Sequence, residues 1–228
     1  MARVLITGAG RGIGLELTRQ YAAAGDEVIA CVRDPDASAP LKELAAGGSV
    51  RIVRMDLSDF DSIAAAKQEI GDTPIDVLIN NAGSVGGARQ RIDDVDIAEW
   101  HRTLDVNTIA PLIVARTFKP NLAASGNGKL LNVTSQLAAS TWPMGGMLIY
   151  STTKAALCKV GQVLAIDWKD EPIASALVHP GWVKTDMGGP HADITPEESG
   201  RGIRKVIAGL TKADSGKFYK WNGDLHPW

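Results

Sequence analysis

Short, unbroken apolar runs alternate along this chain with longer stretches in which apolar positions recur at helical spacing. Val4–Thr7, Glu27–Val32, Arg51–Met55, Val77–Asn80, Leu130–Thr134 and Ala174–His179 are such runs, with Lys217–Trp221 a weaker last one. Runs rich in Val, Ile and Leu, without polar alternation, predict strands covered on both faces, as in a parallel sheet. Helices are expected between them. Gly14–Ala24 stops at Gly25; Ser58 and Asp59 can cap a helix that reaches Ile70 and closes at Gly71. Ile97 to about Ala124 reads as one long helix and Leu148–Trp168 as another. Thr195-Pro196-Glu197-Glu198 offers cap, proline and acids in the order that opens a last one. This pattern predicts an α/β protein of three layers, doubly wound about a mostly parallel sheet of about seven strands. No linker tract, repeat or low-complexity segment divides residues 1–228, so a single domain is expected.

Composition narrows the function. With 228 residues, 45% apolar and 22% charged, and a formal net charge of −2, the chain has no basic excess to attract nucleic acid or an anionic membrane. No apolar stretch is long enough to span a bilayer, and the N-terminus enters a strand at once, so a soluble protein is expected. Cys31 and Cys158 lack CxxC spacing and sit in apolar surroundings, which reads as two reduced, buried thiols in a cytoplasmic protein. No His, Cys, Asp or Glu cluster has metal-ligand spacing. Small-molecule chemistry is what remains.

Thr7-Gly8-Ala9-Gly10-Arg11-Gly12-Ile13-Gly14 lies between the first strand and the first helix. A strand, a glycine turn and a helix N-terminus together hold a pyrophosphate: the turn lets backbone approach closely, and unpaired N–H groups face the anion. The spacing is T-G-x-x-x-G-x-G rather than G-x-G-x-x-G, since residue 13 is Ile. At the tip of the second strand, Val32 stands where an acid would bind a ribose hydroxyl, and Arg33 follows. With Arg11 in the loop, this charge pattern favours NADP(H) over NAD(H). Asp34 argues the other way, and Arg33 with Asp34 also fits a plain solvated pair. Asp56-Leu57 ends the third strand, where the aspartate would accept from an adenine amino group or cap the helix near Ser58. Asn80-Asn81-Ala82-Gly83 ends the fourth, with asparagines to stitch strand ends and small residues to admit a flat ring.

Ser135 follows the fifth strand, and Tyr150 and Lys154 come next, one helical turn apart on one face. A tyrosine hydroxyl ordinarily titrates near pH 10, too high for acid–base work at neutrality, and a nearby ammonium would pull it down. Ser135 can then hold a substrate oxygen while Tyr150 gives or takes its proton. A lone Y-x-x-x-K is a weak signal; its weight comes from following the glycine loop and the strand-end serine. Ser140 competes for the serine role but lies inside the loop. Trp142 and Trp182 flank this segment, either as pocket walls or as ordinary core or surface anchors, and His179 reads as structural.

In order, Thr7–Gly14, Asn80–Gly83, Asn107, Ser135, Tyr150, Lys154 and Pro180-Gly181 resemble the motifs of the short-chain dehydrogenase/reductase family over nearly the whole chain. The ending Gly216–Tyr219, Gly223-Asp224 and Pro227-Trp228 is similar to its C-factor/sniffer-like carbonyl reductase branch. The resemblance implies a seven-stranded Rossmann fold and hydride transfer between NADP(H) and a carbonyl or alcohol. It also implies an Asn107–Ser135–Tyr150–Lys154 tetrad. Asn107 would hold a helix kink and a water feeding Lys154, although a locally satisfied polar residue fits it too. Lys154 would also bind the nicotinamide ribose. Pro180, Gly181, Val183 and Thr185 would lie beside the nicotinamide. A homodimer or homotetramer, built on the two long helices, is the expected assembly. The alternative from another class is a dinucleotide-sensing protein without turnover.

Overall fold

A computed structural model describes residues 1–228. It opens with strand β1 (Arg3–Thr7), helix α1 (Gly12–Ala23) and strand β2 (Glu27–Val32). Helix α2 (Ala39–Ala46), strand β3 (Val50–Arg54), helix α3 (Phe60–Ile70) and strand β4 (Val77–Asn80) follow. The second half contains α4 (Ile97–Leu104), α5 (Ala110–Thr117), α6 (Lys119–Ala124), β5 (Gly128–Val133), α7 (Leu148–Asp167), β6 (Ile173–His179), α8 (Pro196–Gly209) and β7 (Phe218–Lys220). All seven strands join one sheet in the order β3-β2-β1-β4-β5-β6-β7. Every neighbouring pair is parallel. The chain therefore winds outward from β1 to β3, then restarts at β4 on the other side of β1. That reversal opens a crevice at the carboxyl ends of β1 and β4, where sheets of this kind take ligands.

The strands are buried on both faces, which is why their sequence shows no polar alternation. On β1, Val4, Leu5 and Ile6 are all fully buried. Val4 and Ile6 enter the core beneath α1 and α8, while Leu5 joins Leu78 and Leu130 in the core beneath α3, α5 and α7. No helix is long and apolar enough to cross a membrane.

The helix expected over Ile97–Ala124 is three pieces. Pro111 has no N–H to offer the carbonyl of Asn107, so the α-helical ladder fails there. Residues Asp105–Ile109 widen into a π turn, in which the Ala110 N–H reaches back to the Asp105 carbonyl. A second break falls at Phe118, ahead of Pro120. Helix α2 has no counterpart among the sequence expectations, although Ser38 caps it and Pro40 sits in its first turn. Its eight residues are too few for periodicity to show. Asp59, not Asp56, caps α3, accepting from the Asp61 N–H. Thr195 and Glu198 form the capping box of α8.

Candidate active site

The glycine loop is a backbone cradle held from below. Gly8 has φ +68°, and a Cβ there would lie 2.9 Å from the Cα of Ala82. A Cβ on Gly14 would stand 2.2 Å from the Gly8 carbonyl oxygen, so α1 starts in direct contact with the turn. Thr7 is buried, and its hydroxyl oxygen accepts from the N–H groups of Asn81 and Ala82, at 3.0 and 3.1 Å. The Asn81 side chain donates back to the carbonyls of Thr7 and Gly8. Thr7 and Asn81 thus fasten the cradle to β4, and their polar groups are spent inside the protein. Asn80 donates to the Asn132 side chain and to the Pro111 carbonyl, linking β4 to β5 and α5. Above this frame, Arg11 precedes α1 in extended conformation with no side-chain cap on the helix. The first-turn N–H groups of α1, at Gly12, Ile13 and Gly14, have no partner within the helix and supply the donors that fit a pyrophosphate. Ser38 was missed in the sequence; its hydroxyl donates to the Gly10 carbonyl at 2.7 Å while also capping α2. A cap signal before a short helix was its only trace.

At the adenosine end, Arg33 is exposed and Val32 buried. Asp34 accepts from the Asp36 N–H, which ties it into a local turn. Asp56 accepts from both the N–H and the hydroxyl of Ser58, at 3.0 and 2.7 Å. Burial pushes the Asp56 carboxyl up, but these bonds and the charges of Arg33 and Arg54 outweigh it, holding the group below the ordinary range. Leu57 points into the α3-side core. Arg54, exposed at the tip of β3, is a second guanidinium beside Arg33 that strand-end reasoning on β2 alone did not reach. Arg11 forms a loose, exposed ion pair with Asp186 at 3.5 Å.

The second cluster stands at the ends of β4 and β5. Ser135 is buried, and its hydroxyl accepts from the Leu137 N–H at 3.2 Å. Burial raises the Tyr150 phenol above its usual value, and the nearby Ser135 side chain opposes that rise. The Lys154 Nζ donates to the Val133 carbonyl at 3.0 Å, toward β5. Lys154 is itself buried, and desolvation pushes it down to about 8, against a smaller upward influence from Cys158. Asn107 is fully buried in the π turn. Its amide donates to the Ser84 carbonyl and to the Thr153 hydroxyl, and its oxygen accepts from the Ser84 N–H. A Cβ on Gly83 would be 3.2 Å from both Asn107 Oδ1 and Lys154 Nζ, so these two groups flank one narrow space.

The segment after β6 closes the crevice. Pro180 accepts from the Ser199 hydroxyl at 2.6 Å, and Gly181 packs against Ile194 and Trp221. Val183 is buried and bridges to Ile194, while the Thr185 hydroxyl accepts from the Gly188 N–H. The Thr185 methyl would be 3.3 Å from a Cβ on Gly12, which brings this segment onto the glycine loop. Trp142 and Trp182 are each 46% exposed, so neither is a core anchor. His179 is buried edge-on to His226, and burial with the charges of His226 and Lys220 pushes it down to about 4. It is a packing residue outside the Tyr150 cluster. A separate open cleft of about 280 Å³, lined by Arg3, Glu27 and Arg51, lies at the opposite, amino-terminal edge of the sheet. Its arginines are already paired with Glu27 and Glu69.

The model of the short chain dehydrogenase family matches residues 2–194. The C-signal protein of Myxococcus xanthus is 41% identical over 158 residues, spanning 68% of this chain and 93% of that protein. An NADPH-bound carbonyl reductase from chicken fatty liver superposes with a TM-score of 0.93 at 33% identity, covering 100% of this chain and 99% of that one. The carbonyl reductase Sniffer of Drosophila melanogaster superposes at 0.92 with 29% identity, over 100% of each chain.

Proposed function

As this chain belongs to the short-chain dehydrogenase family of oxidoreductases, we propose that it transfers a hydride between NADP(H) and the carbonyl or alcohol carbon of a small molecule. One observation carries the reading: the Tyr150 phenol with Ser135 nearby, and Lys154 and Asn107 flanking one narrow space at Gly83, lie at the same carboxyl edge of the sheet as the glycine cradle. Ser135 holds the substrate oxygen, and Tyr150 donates its proton in reduction or removes it in oxidation. A protonated Lys154, one turn along α7 from Tyr150, supplies positive charge on the side of the phenolate, and its modest basicity lets it pass a proton onward near neutral pH. Asn107 holds the amide geometry that shapes this path. The bound nicotinamide supplies the hydride chemistry. The first turn of α1 and the glycine loop would hold its pyrophosphate, and Pro180, Gly181, Val183 and Thr185 would hold its carboxamide end.

Arg33, Arg54 and Arg11 support a 2′-phosphate, since no free acid competes at the tip of β2 once Asp34 is turned into its own loop. The similarity to an NADPH-bound carbonyl reductase supports the same preference. Exposed Val163 and Ile166 on α7 support assembly through that helix, as a homodimer or homotetramer.

The test is turnover of NADPH with a panel of aldehydes, ketones and quinones by wild type and Tyr150→Phe. The phenylalanine variant is expected to lose about 10²–10⁴-fold in kcat while binding NADPH as before. Equal turnover in the two proteins refutes the role of Tyr150. NADPH binding without turnover across the whole panel refutes the reductase reading in favour of a sensing protein.

A further inference from the structure

We propose that Gln90 is a positioning residue that sets the height of Tyr150 by capping its helix from a separate loop. The inference rests on the role given above to Tyr150. Helix α7 begins with no cap of its own, because Met147 has no side-chain hydrogen bond to the first turn. The N–H of the third helical residue is the one a capping serine or aspartate would take. Here that residue is Tyr150, and its N–H donates to Gln90 Oε1 at 3.0 Å, across 60 residues of sequence. The N–H of the first helical residue, Leu148, donates to the Gln90 main-chain carbonyl at 3.2 Å.

The far end of the same amide is equally committed. Gln90 Nε2 donates to the carbonyls of Val85 and Gly87, at 3.0 Å each. Gln90 is 3% exposed, so water does not replace these bonds. The loop it grips is the one that touches the rest of the cluster: Gly83 borders Asn107 and Lys154, and Ser84 is bonded to Asn107 through both its N–H and its carbonyl. One amide thus fixes the backbone of Tyr150 against the loop that fixes Asn107. The chemistry demands an amide, with an acceptor on one side and two donors on the other. Neither a hydrocarbon nor a carboxylate of the same length meets both demands.

Two variants test this in the full chain. Gln90→Met keeps length and burial without polar atoms; its kcat is expected to fall about tenfold or more, with KM for NADPH within about twofold of wild type. Gln90→Glu adds a pH signature. Protonated, the acid retains an acceptor for Tyr150 and one donor for the loop; ionised, it faces two carbonyl oxygens. The ratio of its kcat to that of wild type is therefore expected near unity in acid and to fall as pH rises, while the Gln90→Met ratio stays flat. A lowered Tm in both variants, with kcat per folded molecule and the pH ratio unchanged, overturns the proposal. Amide hydrogen exchange provides a readout independent of turnover. Faster exchange at Tyr150 in Gln90→Met, with β1 unaffected, supports the cap, and unchanged exchange there overturns it even if wild type proves inactive.

Discussion

The two halves of the site are built in opposite ways. The glycine cradle is made of main chain, and its shape follows from residues close in sequence: a buried strand, a turn that tolerates no Cβ at Gly14, and the start of a helix. The Tyr150 cluster is made of side chains drawn from the π turn, the end of β5 and α7, set against the loop after β4. It is held by bonds between distant residues: Gln90 to Tyr150, Asn107 to Thr153, Lys154 to Val133. A cradle for an anion needs only aligned N–H groups, which local backbone supplies. A proton-transfer group needs a perturbed side chain, and burial against remote elements is what perturbs it. The first half is rigid because nothing more will fit. The second contains a charge that the fold would be more stable without.

Three substitutions would break or sharpen that contrast. Gly14→Ala attacks the cradle where backbone meets backbone, with no flexible atom to give way. It is expected to cost about 3 kcal/mol or more in urea unfolding and to abolish NADPH binding; a well-folded variant with normal affinity would show that the turn can shift. Lys154→Met attacks the other half with the opposite sign on stability. The folded value of about 8 lies below the usual lysine value of 10.5 because burial disfavours the charge. The unfolded state therefore binds more protons between those limits, and wild-type stability rises with pH across that window. Below it the buried charge carries its full cost. At pH 7 the methionine variant is expected to gain about 1–3 kcal/mol while losing activity, a gain that shrinks between pH 8 and pH 10. A loss of stability would mean that the bond to Val133 outweighs the desolvation of the ammonium.

The smallest effect concerns His179, which borders the cluster without belonging to it. Its folded value of about 4 lies below the ordinary 6.5, so protonation favours the unfolded chain. The stability it contributes is complete above pH 6.5 and is lost as pH falls toward 4. Between pH 7 and pH 5 this amounts to about 1–2 kcal/mol, which His179→Leu should remove from the pH dependence of unfolding. Parallel profiles for the two proteins would show that His179 takes up its proton as readily in the fold as in the unfolded chain.

Much of this was legible in the chain. The six strong apolar runs all became strands, because a strand buried on both faces must be apolar throughout. The weak seventh shortened to Phe218–Lys220 at the sheet edge, where β6 is its one strand partner and the bridge from Leu225 to Tyr219 holds its outer side. Helix α2 was too short to show a period, and the span from Ile97 to Ala124 hid two breaks whose signals were Pro111 and Pro120. Ser38 left only a cap signal, and Arg54 and Gln90 carried no motif at all, since their importance comes from what they meet rather than from their neighbours in sequence.

What the sequence determined by itself was therefore the layout: a doubly wound sheet, a glycine cradle at its switch point, Ser135 beyond a strand end, and Tyr150 and Lys154 one turn apart on the next helix. Local spacing suffices for these, because backbone hydrogen bonding and apolar periodicity act over a few residues. Only the tertiary structure decided where the Lys154 ammonium points, how Asn107 is clamped, and what caps the helix of Tyr150. Those depend on which carbonyls and amides remain unpaired once distant elements have packed, and no local pattern specifies that.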